Sequence, residues 1–246
     1  MDKLLYIAMT GAKETLRAQA ANNHNLANAS TTGFRADLSA FQSRAVTGAG
    51  YASRVYATNA ATGWDDSGGP MQSTGNPLDV AVQGPGFIAV QGPDGKEAYT
   101  RAGDLHVDPS GLLMNGTGHV VLGDGGPISV PPNSAIDVGG DGTISIVPLG
   151  QTPNTLASVG RIKLVNPGTA AVAVGDDGLF HMKSGDTAPA DANVKVAGGV
   201  LEGSNVNIAN SMVTMIELAR NFDMQVKAIH SAEDNGAAST KILQSS

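Results

Sequence analysis

Leu5, Ala8, Ala12, Leu16, Gln19, Asn23 and Leu26 recur along the opening stretch of the chain at steps of three and four. Residues 2–28 contain no proline and only one glycine, Gly11, so this spacing predicts a helix with one narrow face. The face is rich in small residues and admits another helix at close range. From residue 207 onward the alternation is stronger. Met212, Met215, Ala219, Phe222, Val226, Ile229, Glu233, Gly236, Thr240 and Leu243 form a heptad seam, apolar through Ile229 and weaker beyond it. Asn207 is the expected N-cap of this second helix, because its amide oxygen can accept from an otherwise unpaired first-turn N–H.

Between the two helices the period changes. Residues 78–82, 87–90, 118–122, 143–147 and 161–165 read as short strands, separated by Asp94-Gly95, Asp108-Pro109-Ser110-Gly111, Asp141-Gly142 and Asp177-Gly178. Asp and Gly tolerate the dihedrals of tight turns, so this region is expected to be all-β. Residues 48–75 are rich in Gly, Ala, Ser and Thr with weak periodicity, and read as an extended arm. The expected fold is a mainly β central domain, a Gly-rich sandwich or barrel-like body. It is joined to N- and C-terminal helices that pair into a discontinuous helical domain. The boundaries are 1–30 plus 205–246 for the helical domain, 31–75 for the connector and 76–204 for the β domain.

A helix over 207–243 would be roughly 55 Å long, well beyond a typical globular helix, and must project from the β body. Burying its seam yields roughly 2 kcal/mol per large apolar residue, while ordering each backbone residue costs about 1 to 2 kcal/mol. Packing of both terminal seams on each other and on neighbouring molecules would shift that balance, so helix formation and polymerisation are expected to be coupled. The alternative is an intramolecular helical hairpin that only caps the β body.

Composition narrows the functions available. Among 246 residues there are 32 glycines and 4% aromatics, which fits many turns and argues against a large aromatic-lined pocket. The 22 acidic against 15 basic residues give a net charge of −7, so nothing favours nucleic acid or an anionic membrane surface. There is no cysteine for disulfides or thiolate metal sites. No run reaches the roughly 20 apolar residues that span a bilayer, and the first residues lack the pattern of a cleaved secretory signal. His24, His106, His119, His181 and His230 are scattered without metal-ligand spacing, and Asp176-Asp177-Gly178 does not continue as a calcium loop. The chain contains no nucleophile elbow, no phosphate-cradling loop and no complete dinucleotide fingerprint. No catalytic, cofactor or metal residue is therefore expected. A β-rich cell-wall enzyme and an adhesin-like binding module remain the competing classes, since distant carboxylates could still pair in space.

The segment Ala21-Asn22-Asn23-His24-Asn25-Leu26-Ala27-Asn28-Ala29-Ser30-Thr31-Thr32-Gly33-Phe34-Arg35 resembles the N-terminal signature of flagellar axial proteins, the rod and hook subunits of the bacterial flagellum. His24 departs from the usual asparagine spacing. The block Leu201-Glu202-Gly203-Ser204-Asn205-Val206-Asn207, with Met212-Val213-Thr214-Met215-Ile216 and Arg220-Asn221-Phe222 after it, is similar to that family's C-terminal block. Asn76-Pro77-Leu78-Asp79-Val80-Ala81-Val82, Gly86-Phe87, Tyr99-Thr100-Arg101-Ala102-Gly103 and Val121-Leu122-Gly123 resemble its β domain. The resemblance covers nearly the whole chain, and points to the proximal rod, with the distal rod as the alternative.

It implies a structural subunit of the torque-transmitting rod that forms homo-oligomers and contacts other rod proteins of the FlgB, FlgC and FlgG type. It also implies delivery, uncleaved, by the flagellar type III export apparatus into the periplasm-spanning rod, with no cofactor and no membrane insertion. The expected assembly interface is Leu5, Ala8, Ala12, Leu16, Asn23, Leu26, Asn28 and Phe34 from the N-terminal region. Met212, Met215, Ala219, Phe222, Val226 and Ile229 supply it from the C-terminal helix.

Overall fold

The structure, a computed structural model, describes residues 3–45, 55–151 and 155–244. Helix α1 spans Lys3–Ala27 and helix α2 spans Ile208–Gln244, within a residue or two of the limits that periodicity implies. The Asn207 side-chain oxygen accepts from the Asn210 amide at 3.1 Å, which is the cap expected there. Strands β1 (Asp37–Ala45), β2 (Val55–Trp64), β3 (Met71–Ser73), β4 (Val80–Gln83), β5 (Phe87–Gln91) and β6 (Glu97–Thr100) come first. They are followed by β7 (Leu105–Val107), β8 (Leu113–Asn115), β9 (Leu122–Gly123), β10 (Gly126–Pro127), β11 (Asn133–Val138) and β12 (Thr143–Pro148). The last are β13 (Ala157–Arg161), β14 (Leu164–Val165), β15 (Val172–Val174), β16 (Phe180–Met182), β17 (Lys195–Gly198) and β18 (Val200–Glu202).

The chain forms two compact units. The first comprises Met1–Ala29, Ala36–Asp65 and Val206–Ser246. Here Asn22 on α1 donates to the Ser211 carbonyl on α2 at 2.8 Å, and a Cβ placed on Gly11 would lie 2.9 Å from the Gln225 side chain. Advancing along α1 therefore means retreating along α2, and the helices run antiparallel. Ala8, Ala12, Thr15 and Ala18 are buried, so α1 offers a shallow surface on which the larger Leu218 and Phe222 of α2 can settle. Strands β1 and β2 pair antiparallel from Asp37↔Trp64 to Ala45↔Val55, with a bulge after Leu38, and lie against α1. The extended arm expected at 48–75 thus includes strand β2, while its residues 48–54 lie outside the described residues.

The second unit comprises Ser30–Arg35 and Asp66–Asn205. It is antiparallel throughout. Strands β14-β5-β6-β16-β15 make a five-stranded sheet and β11-β12-β13 a three-stranded one; the other strands form two-stranded pairs, and no barrel closes among the described residues. Val80 to Val82 and Phe87 to Val90 are buried at every position, as strands covered on both faces must be, whereas Ile144 and Ile146 alternate with half-buried Thr143 and Ser145. The expected Asp-Gly turns share one device. The side chains of Asp94, Asp141 and Asp177 each accept from the amide two residues on, at 3.0 to 3.1 Å, and Asp108 accepts from Leu112 at 2.7 Å. Gly142, for example, then turns the chain at φ 84.

Tyr99 is fully buried at the centre of the large sheet, and its hydroxyl accepts from the Ala188 amide at 2.6 Å. Burial pushes this hydroxyl up to about 12, opposed by the Ala188 amide and reinforced by the nearby Glu97 carboxylate. A folded-state value above the unfolded one means stability that is complete below about pH 10 and lost as pH rises toward 12. Urea titrations should show Tyr99→Phe destabilised by about 1 to 2 kcal/mol at pH 7, from the orphaned Ala188 amide. Between pH 10 and 12 the variant should lose stability less steeply than the parent.

Candidate assembly interface

The helix pair uses one stripe of each helix internally. On α2 that stripe reads Ser211, Met215, Leu218, Phe222, Gln225, Ile229 and Ala232, each at least half-buried and spaced alternately by four and three. Met215, Phe222 and Ile229 of the expected seam lie on it. Ala219 and Met212 do not: both are exposed, and Leu218 and Gln225 take the inward positions one residue earlier than Ala219 and Val226. A 3.6-residue helix leaves neighbouring seams only about 100° apart, and α2 carries apolar residues on both, so the contour of α1 selects between them.

On α1, Ala8 and Ala12 are buried within the subunit and Leu5 and Leu26 are half-buried. The neighbouring stripe, Tyr6, Met9, Lys13, Leu16, Ala20, Asn23 and Ala27, lies about 100° round the helix, is exposed at every position and has the same alternation of three and four. Tyr6, Met9 and Leu16 are about half exposed, as are Ile208, Met212, Val213, Ile216 and Met224 on α2. Single exposed apolar residues are ordinary on protein surfaces. Periodic rows of them on both helices are not.

The asparagines near the end of α1 divide their work. Asn22 ties α1 to α2 through Ser211, and Asn28 donates to the His24 carbonyl at 3.0 Å, closing the helix end. Asn25 makes a two-way pair with the Asp37 backbone, donating to its carbonyl at 3.0 Å and accepting from its amide at 2.8 Å, as a strand neighbour would. His24, the departure from the motif, stands with its Nδ1 2.6 Å from the Asp37 carboxylate and adds a second hold on the start of β1. Asn23 points to solvent.

Phe34 is half-buried in the second unit, just after Gly33, whose φ of 68 lies in the left-handed region. A side chain on Gly33 would collide with the Arg101 backbone carbonyl. Beside this contact lies a cluster that the sequence reading left without a role. Glu202, with a side chain 1% exposed, receives Arg35 Nη2 on Oε1 at 2.7 Å and Arg101 Nη1 on Oε2 at 3.0 Å. Arg101 also donates to the Gly84 carbonyl at 2.6 Å and lies 5.5 Å over the Phe87 ring. Burial lowers the Arg101 pKa, the Glu202 carboxylate opposes that shift, and neighbouring Arg35 adds to it. One signal could have exposed the trio: Arg35, Arg101 and Glu202 are each a charged residue inside one of three otherwise nearly uncharged motif blocks.

No group of three or more His, Cys, Asp or Glu side chains among the described residues could hold a metal ion. No described helix is long and apolar enough to cross a membrane.

Residues 81–146 match the model of the flagellar hook protein FlgE/F/G D1 domain, and residues 197–242 match the flagellar basal body rod FlgEFG protein C-terminal model. The chain is 45% identical to the flagellar basal-body rod protein FlgF of Escherichia coli (strain K12), over 100% of both chains. It is 44% identical to FlgF of Salmonella typhimurium (strain LT2), also over the whole of both. The chain belongs to the FlgF family of flagellar basal-body rod proteins. It is a structural subunit of the flagellar rod and not an enzyme. A FlgG-type rod protein, that of Bacillus subtilis (strain 168), is 31% identical over 95% of this chain and 96% of its own. The matched C-terminal region contains both Glu202 and most of α2, and the matched D1 region contains Arg101.

Removing the Asn25 amide should release the start of β1. Asn25→Ala is expected to lose about 1 to 2 kcal/mol in urea unfolding and to speed exchange at the Asp37 amide, whereas Asn23→Ala stays within about 0.5 kcal/mol of the parent.

Proposed function

We propose that this rod subunit joins its neighbours through the outward rows of α1 and α2, while the inward rows hold the subunit's own helices together. The observation that carries this reading is the pair of exposed apolar rows, Tyr6, Met9 and Leu16 on one helix and Met212, Val213, Ile216 and Met224 on the other. Each is about half exposed, so covering it is worth roughly 1 kcal/mol. A ring of such contacts supports a helical polymer without requiring any one contact to be strong. Leu16, Met212 and Ala219 from the expected interface face outward. Ala8, Ala12, Met215, Phe222 and Ile229 serve it indirectly, by fixing the distance between the two helices.

Rod-family membership implies assembly with other rod and hook proteins. Within that setting the subunit is read as part of the periplasm-spanning proximal rod. It polymerises with its own copies and with FlgB-, FlgC- and FlgG-type subunits after delivery by the type III export apparatus, and carries torque along the shaft. Similarity to FlgG-type proteins along nearly the whole chain supports a shared lattice in which two subunit types present alike surfaces.

The test is a full-length Met212→Asp, Ile216→Asp variant expressed in a strain lacking its own copy. Both positions face solvent, so helix content and unfolding midpoint of the purified protein should stay near the parent's. Burying two carboxylates at a contact should weaken subunit association by about a hundredfold or more, abolishing incorporation into isolated basal bodies and swimming. Wild-type incorporation of this variant would rule the outward rows out.

A further inference from the structure

Every connection between the two units of the subunit converges, on the side of the second unit, on one carboxylate. The chain passes between units at 29/30, 35/36, 65/66 and 205/206. These four passages are carried by three segments of the second unit: residues 30–35, the stretch beginning at Asp66, and the stretch ending at Asn205. Glu202 holds all three. From the first segment it receives Arg35 on Oε1, and its own backbone carbonyl accepts from the Gly33 amide at 2.8 Å. From the second, the Gly69 amide donates to the same Oε1 at 3.0 Å. Glu202 itself belongs to the third. Flanking bonds repeat the pattern: the Gly203 amide donates to the Pro70 carbonyl at 2.9 Å, and the Asn205 side-chain amide donates to the Ser67 carbonyl at 3.0 Å. Arg101, on Oε2, anchors the group to the large sheet through the Gly84 carbonyl.

The cluster's charge makes this arrangement hard to exchange for another. Two guanidinium groups face one carboxylate, all nearly free of solvent, and Arg35 Nε and Nη1 and Arg101 Nε have no further partner among the described residues. A slip of segment 30–35 by one residue would break the Gly33 and Arg35 bonds together and leave buried positive charge without its counter-ion. Gly33 admits no such slip in any case, because a residue with a Cβ brought into its place would strike the Arg101 carbonyl. Buried ions of this kind contribute little net stability and much specificity of register.

We propose that Glu202 is a positioning residue that clamps the three tethering segments into one node, so that load reaching the β unit along them meets a single rigid anchorage and not three independent hinges. The mechanical consequence rests on the rod-subunit reading above. The clamp itself is a property of the isolated chain and is tested there.

Hydrogen exchange on the full-length protein reads it directly. In Glu202→Gln, which keeps the shape and removes the charge, exchange at the amides of Gly33, Gly69 and Gly203 should accelerate about tenfold or more beyond any acceleration at Ala89 and Gln91 in β5, whose exchange reports the overall loss of stability. Uniform acceleration throughout the second unit would overturn the proposal, because it would mean that Glu202 serves overall stability only; so would unchanged exchange at the three glycines. Should Glu202→Gln not fold, Arg35→Lys decides. It retains a positive charge but not the guanidinium reach, and should speed exchange at Gly33 by a larger factor than in β5; a Gly33 that changes no more than β5 overturns the clamp. Neither result depends on whether the outward helix rows join subunits, so failure of the incorporation test leaves this measurement intact.

Discussion

Because Asn22 bonds to Ser211 while Gly11 lies against Gln225, the first and last helices of the chain must run antiparallel, with the end of α1 beside the start of α2. Everything between therefore departs and returns at one end of the helix pair. Three segments of the second unit carry the chain between the units, and within that unit residues far apart in sequence, Arg35, Arg101 and Glu202, share one buried site. The helix pairing also sets the size of the residues on α1. Ala8, Gly11, Ala12, Thr15 and Ala18 along its inner row let α2 approach closely enough for Leu218 and Phe222 to pack, while Tyr6, Met9 and Leu16 lie on the outer row.

The helices thus have two apolar faces: the inner rows close an intramolecular hairpin, and the outer rows are exposed. Helix α2 is 37 residues long and α1 25, so about one-third of α2 extends past the stretch that α1 can cover. This is also where the expected heptad seam weakens, at Glu233, Gly236 and Thr240. A helix without an apolar partner row gains little from packing and keeps its order mainly through backbone bonds.

The second unit relies on two kinds of interior. Val80, Ile88, Val90, Leu113, Ile144 and Ile162 form an apolar core that tolerates exchange of similar volumes. The Arg35–Glu202–Arg101 group does not. Removing one partner from such a buried pair typically costs about 3 to 5 kcal/mol because a charge is left behind, although replacing the whole group by apolar residues can be neutral. A charged group buried where hydrocarbon would serve stability as well fits the proposed role in holding register. Tight backbone contact at Gly33 acts in the same direction, through sterics instead of charge.

The chain's own pattern determined the two helices and the Asp-Gly turns, but only some of the strands: residues 118–122, read as a strand, hold bridges at Val120 and Val121 and a strand only from Leu122. Three- and four-residue spacing set the limits of α1 and α2, Asn207 marked the cap, and the Asp-Gly pairs marked turns, because each of these signals is local and acts through a residue's own backbone or nearest neighbours. The motif blocks likewise identified the family. What only the tertiary structure decided was which side of each helix faces inward and what the charged residues in those blocks do. Leu218 and Ala219 are equally acceptable on a helix surface until a partner contour chooses one. Asn25 became a mimic of a strand neighbour only when Asp37 arrived beside it. Strand β2 was hidden because Ala, Thr, Asn and Gly carry little period-two contrast, and its pairing with β1 depends on residues ten or more positions away. Glu202 is one carboxylate among 22 acidic residues, and its meaning comes from two arginines 167 and 101 positions earlier, a separation across which local chemistry carries no information.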